Sequence, residues 1–278
     1  MKKNPLVAPV LKWLGGKRQL LHDIERHIPE KYSTYYEPFL GGGAVLFALQ
    51  PQRAVVNDMN EELINVYRVI RDNVDELIED LKKHKNEADY YYAIRELDRD
   101  KGRYRQLDNI KKASRILYLN KTCYNGLFRV NQQGEFNAPF GRHKNPNIVN
   151  ETTLRAVSHY LNRAKITFRC GDFVEAVKGI RKGSFVYFDP PYDPVSNSAN
   201  FTGYDKSGFD REEQIRLKKL CDKLNGRGVK FLLSNSATDF ILDLYKDYNI
   251  TIIQAKRIIN SKVDKRGKVS EVLVKNYD

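Results

Sequence analysis

Tyr35-Tyr36-Glu37-Pro38-Phe39-Leu40-Gly41-Gly42-Gly43 is the stretch that decides the fold. An aromatic and apolar run enters three consecutive glycines, and Ala44-Val45-Leu46-Phe47-Ala48-Leu49 then reads as a helix start. Strand, glycine loop and helix in that order open a doubly wound nucleotide-binding sheet. The run is neither G-x-G-x-x-G nor a P-loop, so it brings no Walker lysine for phosphates. Three glycines instead let a ligand lie against bare backbone. Taken alone, the same residues would also serve a plain strand-to-helix turn.

The flanking residues add to this. Downstream, Arg53-Ala54-Val55-Val56-Asn57-Asp58 reads as a second strand ending in an acid, where such folds hold ribose hydroxyls. Asp58 is equally a candidate cap for a helix starting near Asn60. Upstream, Lys12-Trp13-Leu14-Gly15-Gly16-Lys17-Arg18 sets a glycine pair between basic residues, beside the single tryptophan of the chain. It either lets a ligand approach or simply leads into an amphipathic helix over 19–27. Together the glycine loop and Asp58 favour an adenosine-type cofactor.

The α/β alternation resumes near residue 151 with a helix over 151–163 and the strand Ile166-Thr167-Phe168-Arg169-Cys170, which runs into Gly171-Asp172-Phe173. A carboxylate and an aromatic ring at a strand end suit an adenine edge and face, although Asp172 would also serve as a cap. Ser184-Phe185-Val186-Tyr187-Phe188-Asp189 then reads as a short buried strand that leaves the sheet through Pro190-Pro191-Tyr192. Each proline fixes φ and removes a backbone donor, and the residue before a proline is pushed to extended geometry. The product is a stiff, acceptor-rich edge beside an aromatic ring, suited to a planar group with an amino donor such as a nucleobase. A proline-rich turn after an edge strand is the plainer alternative. A polar stretch over 197–208 is expected as a mobile lid and 210–224 as a charged helix. Segments 229–234, 251–259 and 269–274 are expected as strands, with a basic loop over 260–268 suited to phosphates.

Residues 61–120 interrupt the alternation with three successive helical runs, over 61–81, 88–99 and 110–120. Tyr90-Tyr91-Tyr92 reads there as helix packing. Residues 121–169 hold eight Lys/Arg against two acids, a local balance of +6. Arms on either side of Gln133-Gly134 suggest a hairpin carrying Arg129, Asn137 and aromatic residues. Arginine reads guanine by a bidentate contact, apolar groups meet the thymine methyl, and spare cations hold phosphates; a solvated basic loop is the alternative. The expected architecture is α/β: a Rossmann-like sheet over 1–60 and 161–278, with an inserted, mainly helical target-recognition domain over 61–160 bearing the hairpin.

A formal charge of +13 points to a polyanionic partner, nucleic acid first. No apolar run is long enough to anchor the chain in a membrane. Pro9 and Lys12 interrupt the apolar N-terminal stretch, against a signal peptide. Cys123, Cys170 and Cys221 are too few and too dispersed for a disulfide framework or a zinc site, so no metal is expected. They fit a reducing, cytoplasmic setting.

In combination, Lys12-Trp13-Leu14-Gly15-Gly16-Lys17, Glu37-Pro38-Phe39-Leu40-Gly41-Gly42-Gly43, Asp58, Gly171-Asp172-Phe173 and Asp189-Pro190-Pro191-Tyr192 resemble the Dam-type DNA adenine-N6 methyltransferases of the D12 class, in the α-group motif order. The likeness runs from about residue 11 to Glu271-Val272-Leu273-Val274-Lys275-Asn276-Tyr277. It is greatest to GATC-specific members, including those of restriction–modification systems. The resemblance implies S-adenosyl-L-methionine as methyl donor. Trp13, Lys17, Phe39, Gly41 and Gly43 would surround it, with Asp58 at its ribose, Asp172 and Phe173 at its adenine, and Asp189 close by. Asp189, Pro190 and Tyr192 would hold the target base. The family pattern makes Arg129 the guanine reader, places Leu127 and Pro139 on thymine methyls, and has Tyr124 and Asn125 disturb the stack beside the target. Lys12 would meet the outer guanine, with Asn137 and Arg142 as further DNA contacts; Phe128 is assigned nothing. The implied partner is double-stranded DNA in a prokaryotic or phage nucleoid, with no protein partner required.

An amino nitrogen delocalised into its ring is a poor nucleophile, and in a duplex it is reached only by flipping the base. Acceptors at Asp189 and Pro190 would draw its two hydrogens and aim the lone pair at the methyl. No cysteine stands in a context for a covalent intermediate, which argues against cytosine C5. RNA adenine or cytosine N4 as substrate, and a DNA-binding module without catalysis, are the competing readings.

Overall fold

The computed structural model describes residues 3–195, 209–256 and 268–278. The expected lid at 197–208 and the basic loop at 260–267 lie outside the described residues. In chain order the elements are α1 (Leu21–His27), β1 (Tyr35–Glu37), α2 (Ala44–Leu49), β2 (Arg53–Asp58), α3 (Glu61–Asp72), α4 (Val74–Leu81), α5 (Ala88–Glu96), α6 (Lys101–Gln106) and α7 (Asn109–Thr122). They continue with α8 (Glu151–Arg163), β3 (Lys165–Cys170), α9 (Phe173–Ala176), β4 (Phe185–Phe188), α10 (Arg211–Gly226), β5 (Lys230–Ser236), α11 (Asp239–Leu244), β6 (Asn249–Lys256) and β7 (Lys268–Lys275).

The strands form a seven-stranded mixed sheet in the order β3-β2-β1-β4-β5-β7-β6. β1 pairs in parallel with both β2 and β4, and β4 with β5, whereas β7 runs antiparallel to β5 and β6. This is the expected Rossmann-like α/β fold. The chain reverses its winding between β1 and β4, the switch point where such sheets bind ligands beyond the carboxyl ends of their strands. Glu37, Asp58 and Asp189 all stand at those ends.

The chain divides into two compact units. The first comprises Met1–Gly16, Gly41–Gln52 and Asp58–Cys170; the second comprises Lys17–Leu40, Arg53–Asn57 and Gly171–Asp278. In the second unit, buried Val186, Phe188, Phe231, Leu233, Val272 and Val274 pack with α10 through Leu217, Cys221 and Leu224. In the first, Tyr91, Tyr118, Leu119, Cys123, Phe136 and Ala138 form a core beneath the basic segment. Tyr91 is fully buried and Tyr90 packs against the same core, so these two serve packing, whereas Tyr92 is exposed.

Residues 61–120 fold as five helices, not three. The periodic stretch over 61–81 is broken at Asn73, whose φ of −140° is not helical. α3 is capped by Asn60, whose side chain accepts the Leu63 amide at 2.9 Å, so capping falls to Asn60 and not to Asp58. The expected helix over 19–27 begins as a 3-10 turn at Lys17–Gln19. The expected hairpin forms with isolated bridges in place of strands, Val130–Phe136 and Cys123–Phe140, and is closed by the Asn131 amide donating to Glu135 O at 2.8 Å. No helix of the described residues is long and apolar enough to cross a membrane.

Candidate active site

In the second unit, Asp189 follows directly on β4, and its Oδ1 lies 2.8 Å from the Lys17 ammonium. Lys17 is buried, and the Asp189 side chain keeps 19% exposure. At that distance the lysine both neutralises the carboxylate and hydrogen-bonds it. Burial pushes the Asp189 carboxyl up to about 6; the Lys17 ammonium opposes the rise and the Glu271 charge adds to it. The Tyr192 hydroxyl donates to Glu271 Oε2 at 2.8 Å, and its ring has the Lys17 ammonium 4.7 Å from its centroid.

A network that the sequence reading missed holds this tip. Gln214 Nε2 donates to the Pro191 carbonyl at 2.8 Å, and Asn235 Nδ2 donates to Gln214 Oε1 at 3.0 Å. Buried Asp193 donates its amide to Asn235 Oδ1 and accepts from Thr238 Oγ1 at 2.7 Å and Arg211 Nε at 3.0 Å. Ser236 Oγ donates to the Asp193 carbonyl. The one available signal was Ser234-Asn235-Ser236, a polar triplet at the end of an apolar strand; all three residues are buried. With the Pro191 carbonyl engaged, Pro190 is left as the proline acceptor adjoining Asp189.

Also in the second unit, Phe39 stacks on Phe173 with centroids 5.4 Å apart, and Phe209 meets Phe39 edge-on at 5.5 Å. Asp172 caps α9 by accepting the Val174 amide at 2.9 Å and takes Arg216 Nη2 at 2.7 Å. Burial would raise its pKa, but the Arg216 and Val174 hydrogen bonds outweigh burial and hold it below the ordinary value. The Arg216 guanidinium in turn lies 4.6 Å from the Phe173 centroid. Asp172 is therefore a cap and an ion-pair partner already, with lone pairs to spare for a further donor.

In the first unit, Gly41 and Gly43 have φ of +49° and +68°, a region costly for side chains. A Cβ on Gly43 would fall 2.8 Å from Phe47, and one on Gly41 would fall 3.0 Å from Trp13 Cδ1. The loop is thus bare backbone roofed by an indole. Asp58 accepts the Gly41 amide and the Asn60 amide, each at 2.9 Å, and buried Tyr67 donates to the Gly41 carbonyl at 2.9 Å. Burial raises the Asp58 pKa despite these amides. Its oxygens retain capacity for a hydroxyl donor.

The basic segment belongs to the same unit. Asn120 Oδ1 accepts the Lys12 amide at 2.9 Å, and its Nδ2 donates to Lys12 O at 2.9 Å and Gly126 O at 3.0 Å. This buried asparagine, unsuspected from sequence, fastens Lys12 to the turn Tyr124–Gly126. Tyr124 is 57% exposed at that turn, its amide held by the Pro139 carbonyl at 2.8 Å, and Asn125 adopts φ of +59°. Leu127 is half-buried, and Pro139 and Arg142 are exposed. Arg129 is exposed but braced: Nε donates to Asn137 Oδ1 at 2.7 Å and Nη2 to Asn137 O at 3.0 Å. Phe128 stacks on Trp13 with centroids 4.7 Å apart. Asp98 Oδ2 accepts the Phe136 amide and Arg99 donates to its carbonyl, each at 2.8 Å, so the second hairpin arm is pinned to the helices.

The seven-stranded sheet with this strand order is that of a Rossmann-like methyltransferase. Comparison with known proteins narrows the class. Residues 13–259 match the family of D12 class N6 adenine-specific DNA methyltransferases, and the chain belongs to that family. It is 46% identical to the type II methyltransferase M1.LlaDCHI of Lactococcus lactis subsp. cremoris, over 100% of this chain and 98% of that relative. It is 44% identical to the type II methyltransferase M.MjaIII of Methanocaldococcus jannaschii, over 98% and 99%. It is 36% identical to the DNA adenine methylase of Escherichia coli K12, over 98% and 95%. The chain is an adenine-specific DNA methyltransferase, DNA is its substrate, and the family implies a methyl donor of the S-adenosylmethionine type.

Proposed function

We propose that this enzyme methylates N6 of an adenine flipped out of double-stranded DNA, within GATC, using S-adenosyl-L-methionine. The observation that carries the chemistry is Asp189: a half-buried carboxylate, its Oδ1 fully buried, on a stiff proline tip beside the Pro190 carbonyl and the Tyr192 ring. The GATC assignment rests on the family resemblance of Lys12, Leu127, Arg129 and Pro139.

Within the first unit, the glycine loop under Trp13 suits a ligand laid on backbone, and Asp58 suits a diol. Within the second, Phe39 and Phe173 offer an aromatic wall, with Asp172 beside it. Lys17 neutralises charge at the tip. These residues fit the donor chemically, and the resemblance assigns all of them to it. When bound, the donor supplies an electrophilic methyl on a sulfonium centre. Asp189 and the Pro190 carbonyl accept the two amino hydrogens, which sharpens the nitrogen lone pair, and Tyr192 stacks on the base. Asp189 is suited to take the proton that the nitrogen gives up on methylation, because a carboxylate near 6 is more basic than an ordinary one. Positioning and electrostatics do the remaining work. Residues 61–160 serve target recognition, with Arg129 held in aim by Asn137.

Incubation with S-adenosyl-L-methionine and unmethylated plasmid tests the reading. The product should resist endonucleases blocked by adenine methylation at GATC and yield to those that require it. Mapping of methylated adenines should return GATC alone. A different mapped context would remove the GATC assignment, and label entering RNA or cytosine would remove the substrate assignment.

A further inference from the structure

Glu271 stands in β7, paired with Ser236 of β5 and Ile253 of β6. Its neighbours Val272, Leu273 and Val274 are buried and apolar, so it is a carboxylate in mid-strand, next to the buried stretch of β7. A carboxylate in such surroundings costs free energy unless it is partnered. Here the partner is the Tyr192 hydroxyl, 2.8 Å from Oε2. The titratable and charged groups gathered at this point are Lys17 from the first 3-10 turn, Tyr187 and Asp189 from the β4 strand and its end, Tyr192 from the loop, and Glu271 itself. Tyr187 is tied to Ser234 Oγ at 2.6 Å, which leaves the carboxylates and the ammonium to set the local charge.

We propose that Glu271 is a positioning residue for methyl transfer: it fixes the plane of the Tyr192 ring through the phenol and places a second negative charge beside Asp189. The proposal rests on the reading of Asp189 and Tyr192 as the groups that hold the target base. A phenol anchored at its far end has its ring rotation stopped, so the stacking surface is ready before the base arrives, the preorganisation that raises turnover. The charge keeps Asp189 a willing acceptor, because a nearby like charge disfavours ionisation.

Three variants separate the two parts. Glu271→Gln keeps an acceptor for the phenol and removes the charge. The acidic limb of its kcat/KM profile for a duplex oligonucleotide should move down by about half a pH unit, with kcat at neutral pH reduced no more than about threefold. Tyr192→Phe keeps the charge and removes the anchored hydroxyl. Its limb should stay in place while kcat falls about tenfold with little change in KM. Glu271→Ala should show both effects. A duplex carrying 2-aminopurine at the target position reports stacking directly: emission quenched by the wild-type ring should rise in Tyr192→Phe and Glu271→Ala and stay quenched in Glu271→Gln. An unmoved limb in Glu271→Gln, or wild-type kcat and quenching in Tyr192→Phe, overturns the proposal; these two near-isosteric variants decide it even if Glu271→Ala does not fold. Asp189→Ala is assayed alongside. If it is inactive while the Glu271 and Tyr192 variants behave as wild type, only the positioning role falls. If it retains turnover, the reading of the tip falls and the proposal with it.

Discussion

Asp58 ends β2 and Asp189 follows β4, one side chain type in two settings. Asp58 accepts two backbone amides at 2.9 Å and thereby braces the glycine loop. Asp189 has a lysine ammonium at 2.8 Å and a second carboxylate in its electrostatic surroundings. Both are raised by burial, but only Asp58 has amides opposing the rise. A carboxylate held by amides is a geometric part. One held by a single ammonium and no amide, in a largely desolvated place, is disposed to take hydrogens from whatever arrives.

The comparison breaks most sharply at Asp189 itself. Asp189→Ala should lower methyl incorporation by about a thousandfold or more, while binding of a duplex in a gel-shift assay stays within a few-fold of wild type. Substantial turnover in that variant would dissolve the distinction between the two carboxylates.

The second prediction uses pH. The folded-state pKa of Asp189, about 6, lies above the ordinary 3.8. The sign is therefore the reverse of a salt-bridged carboxylate: ionised Asp189 costs stability above pH 6, and the cost disappears as pH falls from 6 towards 4. Two units correspond to about 3 kcal/mol. Urea unfolding of the wild type and Asp189→Asn at pH 7.5 and pH 4 should show their difference shifting in favour of the wild type by about that amount at the lower pH. Activity moves the other way. kcat/KM for DNA should fall about tenfold per unit below pH 6, as the carboxylate is protonated.

Asp58→Ala should act through structure. It leaves the Gly41 and Asn60 amides without their acceptor, at a cost of about 2 kcal/mol. Calorimetry should show donor affinity falling at least about tenfold, because the loop loses its brace as well as a hydroxyl acceptor. Asp58→Asn, which keeps one oxygen, should lie between. Equal stability but lost affinity would mean that Asp58 binds without bracing.

The strand-end acids were legible in the sequence because their signals are local. β2 and α8 fall on the expected bounds, and α2 occupies Ala44–Leu49, because glycines, caps and apolar periodicity all lie within a few residues of one another. What was not legible joins distant positions. Asn120 reaches Lys12 across 108 residues, Glu271 reaches Tyr192 across 79, and Asn235 reaches Asp193 across 42. A single polar residue in an apolar element carries no period, and its partner is set only when the sheet order is known. The break at Asn73 was hidden for a related reason: the apolar spacing of α3 continues into α4, so periodicity runs on through a point where the backbone does not.

Asp172 provides the smallest effect and the control for the other two. Its carboxyl is held below the ordinary range because the Arg216 and Val174 bonds outweigh burial, so its linkage has the usual carboxylate sign. Its contribution is present above the ordinary pKa and is lost as pH falls through the lowered folded value. Both partners are substantially exposed, 42% for Arg216 and 37% for Asp172, so solvent screening leaves the pair worth less than about 1 kcal/mol. Asp172→Asn should therefore shift urea unfolding only slightly at pH 7.5, and the shift should shrink further in 1 M salt, where the Debye length is about 3 Å. The Val174 amide still finds an acceptor in the asparagine oxygen, so α9 keeps its cap. Any loss of donor affinity beyond the stability change would then measure what the carboxylate offers a ligand. Since Arg216 also lies over the Phe173 ring, Arg216→Gln beside Asp172→Asn separates the two. Affinity lost in the arginine variant alone would assign the effect to the aromatic wall and leave Asp172 as a helix cap.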